Sequence, residues 1–141
     1  MTIQSILDAF IKQLSEQFAL PIYDEEIPQN FTAPSFFLHL PKLTFKRMTG
    51  LNRLYELYVS VTYFATDKLN KNTEYNSVLQ KITEEFDYLR LQDKLLHLTL
   101  IEQQENERDD ALVFLFKLEV HTRKTVDKTV EMKGIEVHIN G

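Results

Sequence analysis

The most constraining feature of the sequence is a strict alternation of residue types between positions 55 and 63. Every second residue in this segment is apolar: Tyr55, Leu57, Val59, Val61 and Tyr63. The intervening positions hold Glu56, Tyr58, Ser60 and Thr62. Successive side chains of a strand point to opposite faces of a sheet, so the pattern predicts a strand with one face on a core and the other partly exposed.

Two other stretches follow the helical period instead. Over residues 2–19, apolar residues recur at i, i+3, i+4 and i+7, with Thr2 as the expected N-cap and Pro21 as the stop. A second amphipathic helix is expected to have Asn72 or Thr73 as its N-cap and to bury Tyr75, Val78, Leu79, Ile82, Phe86 and Leu89. Each predicted helix therefore has one apolar face to place against a sheet.

The remaining strands are predicted from shorter patterns. They comprise Ile22–Tyr23 and residues 36–45, 98–103 and 112–121, with turns at 46–52 and 104–110. Pro41 implies that its strand has an edge or a bulge. Both faces of the 112–121 segment begin apolar, which predicts a central strand.

The order of these elements predicts an α+β fold, a mostly antiparallel sheet packed with two amphipathic helices. Whether both helices lie on one face or one on each stays open at this point. Residues 1–141 are expected to form a single domain, because 141 residues suffice for one core without staples. Residues 124–141 are expected to form a terminal hairpin or an arm that reaches a neighbouring copy, since a lone hairpin is barely stable in water.

Composition excludes several classes of function. A net charge of -5 argues against general nucleic-acid binding, which needs clustered cations. The absence of cysteine removes disulfides, thiolate catalysis and cysteine-ligated zinc, and fits a cytosolic protein. Three glycines are too few for a glycine-rich phosphate loop. Neither a signal peptide nor a membrane-spanning apolar run is expected.

The polar residues do not assemble an active site in the sequence. Asp24, Glu25 and Glu26 could bind a cation or work as paired carboxylates, but no second cluster with ligand spacing accompanies them. The four histidines, His39, His97, His121 and His138, fit no metal motif. We therefore expect no catalytic residue, no metal site, no cofactor and no enzymatic activity.

Interaction surfaces are indicated instead. Lys42, Lys46, Arg47 and Arg53 form a basic patch around one predicted turn, suited to electrostatic docking or, alternatively, to phosphate. An acidic loop lies at Asp24–Glu26, and three aromatic residues are expected to be exposed: Tyr23, Phe31 and Tyr58. Opposite charges on separate patches suit a protein that assembles with copies of itself or with fixed partners.

One long loop also carries a family resemblance. The block PIYDEEIPQNFTAPSFFLHL, followed by NRLYELYVSVTYF, resembles the tail terminators of long-tailed phages, more specifically the group in prophages of Gram-positive bacteria. The matching positions are Ile22, Tyr23, Glu25, Glu26, Ile27, Pro28, Gln29, Phe31, Pro34, Phe36 and Phe37, then Asn52, Arg53, Tyr55, Tyr63 and Phe64. Ser35 stands where the family pattern leads us to expect cysteine.

The resemblance implies a small subunit of the virion tail, assembled in the bacterial cytoplasm. Such subunits form a ring, commonly a hexamer, that caps the tail tube, stops its polymerisation and provides the head-joining surface. The implied partners are sister copies, the tail tube protein and a head–tail connector protein; another head–tail stopper or adaptor is the alternative. Candidate interface residues are Tyr23, Glu25, Glu26, Phe31, Lys46, Arg47 and Arg53.

Overall fold

The computed structural model describes residues 2–24, 31–66, 69–106 and 111–123. Its elements are α1 (Ile3–Phe18), β1 (Ile22–Tyr23), β2 (Ser35–Arg47), β3 (Asn52–Phe64), α2 (Lys71–Glu85), β4 (Tyr88–Leu91), β5 (Lys94–Asn106) and β6 (Ala111–Arg123). The strands form one sheet in the order β1-β2-β3-β6-β5-β4. The pairing of β1 with β2 is parallel, and the other four pairings are antiparallel. The predicted α+β class is confirmed.

Helix α1 begins and ends as local chemistry requires. The Thr2 hydroxyl accepts a hydrogen bond from the Ser5 N–H at 3.0 Å, which confirms the predicted N-cap. The helix ends at Phe18, and the C-cap residue Ala19 has a left-handed φ of 53° and donates its N–H to the Ser15 carbonyl. Pro21 follows and prevents the helix from continuing.

Both helices lie on the same face of the sheet, which settles the question that the sequence left open. Phe10 of α1 packs against Phe116 of β6 with ring centroids 5.4 Å apart. Tyr75 of α2 contacts Tyr63 of β3 at 6.4 Å. The strand registers pair Val59 with Phe116, and Val59 and Tyr63 share a face. One apolar core therefore fills the space between the helices and the sheet.

Several predicted boundaries were wrong. The second helix begins at Lys71 with Asn70 as its N-cap, so Asn72 and Thr73 lie inside its first turn. Leu89 is buried as predicted, but on β4, a strand that the sequence patterns did not reveal. The four residues of β4 are too few to show a period of two, and pairing with Lys94–His97 of β5 is what makes them a strand.

The predicted turn at 46–52 is also shorter than expected. Lys46 and Arg47 belong to β2 and pair with Leu54 and Arg53 of β3. Backbone pairing in a long hairpin overrides the polar composition there, and Gly50, with φ of 69°, lies in the turn itself. The irregular register between His39 and Lys42 confirms the bulge that Pro41 implied, and the position of β6 between β3 and β5 confirms it as central.

Candidate interaction surface

The second face of the sheet, which we call the open face, carries no helix within the described residues. Its side chains come from the positions that alternate with the core. Across β2, β3 and β6 the registers place Lys42 beside Tyr58 and Tyr58 beside Lys117. This face is where the sequence predicted partial exposure, and it mixes charged residues with half-buried apolar ones.

A ladder of charges runs across the open face. Lys46 Nζ lies 3.4 Å from Glu56 Oε1, and Lys117 Nζ lies 3.4 Å from Glu56 Oε2. Lys117 also lies 3.5 Å from Glu119. Burial acts to raise the pKa of Glu56, but hydrogen bonds and positive charge from Lys46 and Lys117 outweigh it and hold that pKa below its ordinary value. The charge of Lys46 is thus balanced inside the chain.

The other basic residues have different surroundings. Lys42 lies over the ring of Tyr58, 5.3 Å from its centroid, and Arg53 lies 5.9 Å from the ring of Phe45. Arg47 is exposed at the end of β2. The residues of the basic patch are therefore paired strand residues near the turn end of the β2–β3 hairpin.

Two of the three aromatic residues, Tyr23 and Phe31, lie at the opposite end of β2, whereas Tyr58 pairs with Lys42. Tyr23 pairs with Phe37, and its hydroxyl accepts a long hydrogen bond of 3.4 Å from the Thr32 N–H. Phe31 packs against Phe64 with ring centroids 4.9 Å apart. The expectation that Tyr23, Phe31 and Tyr58 are exposed was wrong, because each is half-buried by neighbouring side chains.

The candidate residues thus separate into two groups. Strand β2 has 13 residues between the aromatic end and the basic end, which is about 40 Å at ~3.3 Å per residue. Glu25 and Glu26 lie outside the described residues, between Tyr23 and Phe31 in sequence. A surface that includes Tyr23 and one that includes Arg47 are too far apart to act as a single pocket.

Two of the four histidines have aromatic neighbours in the structure. His39 stacks on Phe37 at 5.5 Å, and His97 contacts Tyr88 edge-on at 5.6 Å. His138 lies outside the described residues. Over the part of the chain that is described, no group of three or more His, Asp or Glu side chains could hold a metal ion. Among the same residues, no helix combines the length and apolar character that crossing a membrane requires.

Sequence reasoning missed the outer part of β5. The strand was expected to end at Gln103, yet it continues through Glu105 to Asn106 and pairs with β6 along that length. Polar residues obscure the alternation there, because Gln103 and Glu105 occupy the face that Leu98 and Leu100 bury further up the strand. The apolar partners Leu112 and Phe114 on β6 were the available signal.

Comparison with known proteins gives this surface its context. A chain from the virion of a native gene transfer agent particle has a similar structure, with a TM-score of 0.48 and 16% identity over 82% of this chain and 93% of that chain. No curated protein matches the sequence. The family model for phage tail terminator proteins matches residues 5–130. That a Gram-positive bacterium is the host stays a prediction. The chain therefore belongs to the phage tail terminator family, a family of structural, non-enzymatic proteins, and is a component of a phage tail.

Proposed function

We propose that this chain is the subunit of a ring that caps the tail tube, stops its polymerisation and provides the surface to which the head is joined. Family membership across residues 5–130 is the observation that carries the proposal. The ring is a hexamer of sister copies in the assembled tail. Its other partners are the tail tube protein and a head–tail connector protein, and assembly takes place in the bacterial cytoplasm.

A ring sets a physical requirement on the subunit. Its interfaces are heterologous, so each copy needs two different and complementary surfaces. The two groups of candidate residues lie at opposite ends of β2 and differ in charge, so they could supply two such surfaces. One group contains Tyr23 and Phe31 and flanks the acidic loop at Glu25–Glu26; the other contains Lys46, Arg47 and Arg53.

Tail length tests the proposed function. Particles assembled without this protein should have over-long or uncapped tails, because nothing halts addition of tube protein. A head–tail stopper, the alternative, would leave tail length normal and would block joining to the head. Tails of normal length in its absence would contradict the proposal.

Charge reversal tests the acidic loop. The E25K/E26K variant should self-associate more weakly and cap fewer tails, with the greater loss at low salt, where charges are less screened. Unchanged sedimentation and unchanged tail length would exclude the loop from the interface.

Deletion of residues 125–141 tests the proposed inter-subunit arm. Loss of the ring on deletion would support an arm that crosses the subunit boundary. An intact ring would remove that proposal.

A further inference from the structure

Both outer edges of the sheet are only partly paired within the described residues. At one edge, β1 pairs with Phe36 and Phe37, and residues 38–47 of β2 pair on their other side with β3. At the opposite edge, β4 pairs with Lys94–His97, and Leu98 bonds to the Asp87 carbonyl. Residues 99–105 of β5 lie beyond β4. We call these stretches the β2 edge (38–47) and the β5 edge (99–105).

The outer side of β4 differs from these two edges, because its backbone is hydrogen-bonded to a helix side chain. The Gln13 side chain of α1 donates to the Tyr88 carbonyl at 2.8 Å and accepts from the Arg90 N–H at 3.2 Å. A helix therefore satisfies the backbone of β4. An uncovered strand edge, in contrast, is a template for pairing with another chain.

The two edges carry opposite charges. The β2 edge holds Lys42, Lys46 and Arg47 and no acid, and the β5 edge holds Glu102 and Glu105 and no base. The registers put Lys42, Lys46 and Glu102 on the open face, and Arg47 and Glu105 on the helix-side face. Cations and anions would thus meet on the same faces if the two edges paired.

The edges also expose apolar side chains. Leu43 and Phe45 of the β2 edge are 40% and 45% exposed, and Ile101 of the β5 edge is 45% exposed. Leu43 and Phe45 lie on the helix-side face, opposite Leu57 and Tyr55 of β3. Strand addition would bury this apolar area, and an isolated chain leaves it in water.

We propose that the β2 edge of one copy pairs with the β5 edge of the next copy, so that the sheet continues from subunit to subunit. This inference rests on the proposed ring. Strand directions permit it, because β2 and β5 run antiparallel to each other within one sheet. Pairing of two β2 edges would oppose lysine with lysine, and two β5 edges glutamate with glutamate, which is destabilising. Charge therefore favours a heterologous contact over a two-fold dimer.

The registers also predict how neighbouring copies are displaced. The β2 edge lies at the level of β3 residues 53–61, and the β5 edge, followed across β6, lies at the level of β3 residues 58–63. The two edges overlap fully only if each copy is shifted along the strands relative to the last. Strands that close into a ring must be tilted and staggered in this way.

A charge exchange tests the pairing in the full-length protein. K42E/R47E and E102K/E105K should each raise the dissociation constant of the ring about tenfold or more, because like charges then face each other. The chain that carries all four changes should regain most of the wild-type affinity. Arg47 and Lys42 are chosen instead of Lys46 because Lys46 is paired with Glu56. Matched controls with the same change in net charge, K12E/K94E and E84K/E85K, should assemble as the wild type does.

Cross-linking identifies the occupant of the edge. The chain has no cysteine, so every disulfide must join introduced residues, and the single variants T44C and E102C control for bonds between identical positions. T44C/E102C and T44C/Q104C bracket the register on the open face, where antiparallel neighbours lie within disulfide reach. In rings or in assembled tails, at least one of them should give a covalent ladder of oligomers.

Each outcome decides a separate point. Dimers from T44C alone would show that two β2 edges pair with each other. A ladder from T44C/V137C would show that the C-terminal segment occupies the β2 edge. Either result would overturn the inference. Rings that cap tails without any cross-link, or failure of the four-change chain to recover, would overturn the strand pairing and leave the proposed function standing. A chain that neither forms a ring nor affects tail length would overturn both.

Discussion

The two faces of the sheet show how one strand pattern serves two purposes. On the covered face, Phe10 packs between Phe86 and Phe116, at centroid distances of 6.0 and 5.4 Å, and all three rings are buried. On the open face, Glu56 lies between Lys46 and Lys117, and these groups remain partly hydrated. We conclude that the covered face determines stability, and that the open face and the sheet edges are left for partners.

The largest loss of stability is expected from a substitution at Phe10. The F10A variant should lose about 3–5 kcal/mol of unfolding free energy, because it removes a fully buried ring and leaves a cavity. The same change at Phe45, which is 45% exposed, should cost about 1 kcal/mol or less. Urea denaturation at low protein concentration measures both. Both residues lie on the helix-side face, so equal losses would mean that burial under the helices does not set the energetic weight of a ring on that face.

A smaller effect is expected where the covered face includes a polar group. Tyr63 donates a hydrogen bond of 2.8 Å to Glu74 Oε1, which also accepts from the Thr66 N–H at 3.1 Å. Y63F should lower the unfolding free energy by about 1–1.5 kcal/mol, since a partly buried hydrogen bond is lost. Tyr88, which is 51% exposed, provides the control, and Y88F should change stability by only a few tenths of a kcal/mol. Identical values for the two variants would count against a structural role for the Tyr63 bond.

Ser35 is a buried position at which a substitution should stabilise the protein rather than destabilise it. It is fully buried at the end of β2, and within the described residues its hydroxyl has no hydrogen-bond partner. Replacing it with cysteine, the residue expected from the family pattern, or with alanine should raise stability by up to about 1 kcal/mol, because an unpaired buried hydroxyl is removed. A drop in melting temperature for both variants would show that the hydroxyl is bonded.

The smallest effect concerns the charge ladder of the open face. Because the pKa of Glu56 is lowered in the folded state, its contribution to stability is present above its ordinary pKa and is lost as pH falls through the folded value. E56Q should flatten the acid limb of the stability curve, and K117M should weaken it in the same direction. Stability profiles that coincide with the wild type from pH 7 to pH 3 would show that the ladder is fully screened.

The sequence predicted the elements with long periodic patterns and missed those defined by pairing. The helix capped at Thr2, the 55–63 strand and the central strand were all found, because each has enough residues to show its period. Strand β4 and the far end of β5 were missed, since neighbouring backbone, and not their own composition, makes them strands.

The sequence predicted the proximity of the basic candidate residues, while their role at an interface stays a prediction. Lys46, Arg47 and Arg53 do lie close together, as the sequence indicated, but in paired strands and not in a turn. The internal partner of Lys46 could not be foreseen, because Glu56 reaches it across the hairpin. The acidic β5 edge was also overlooked. Its glutamates can be recognised as part of a sheet edge only from the strand order, which puts them on the outside of the sheet.

By itself, the sequence determined the α+β class, the amphipathic faces and the membership of the tail terminator family, because periodicity and a specific loop motif are properties of the chain alone. Only the tertiary structure decided that both helices cover one face and that oppositely charged edges remain on either side of the sheet. The reason is that strand order and register depend on contacts between residues far apart in sequence, which no local pattern encodes.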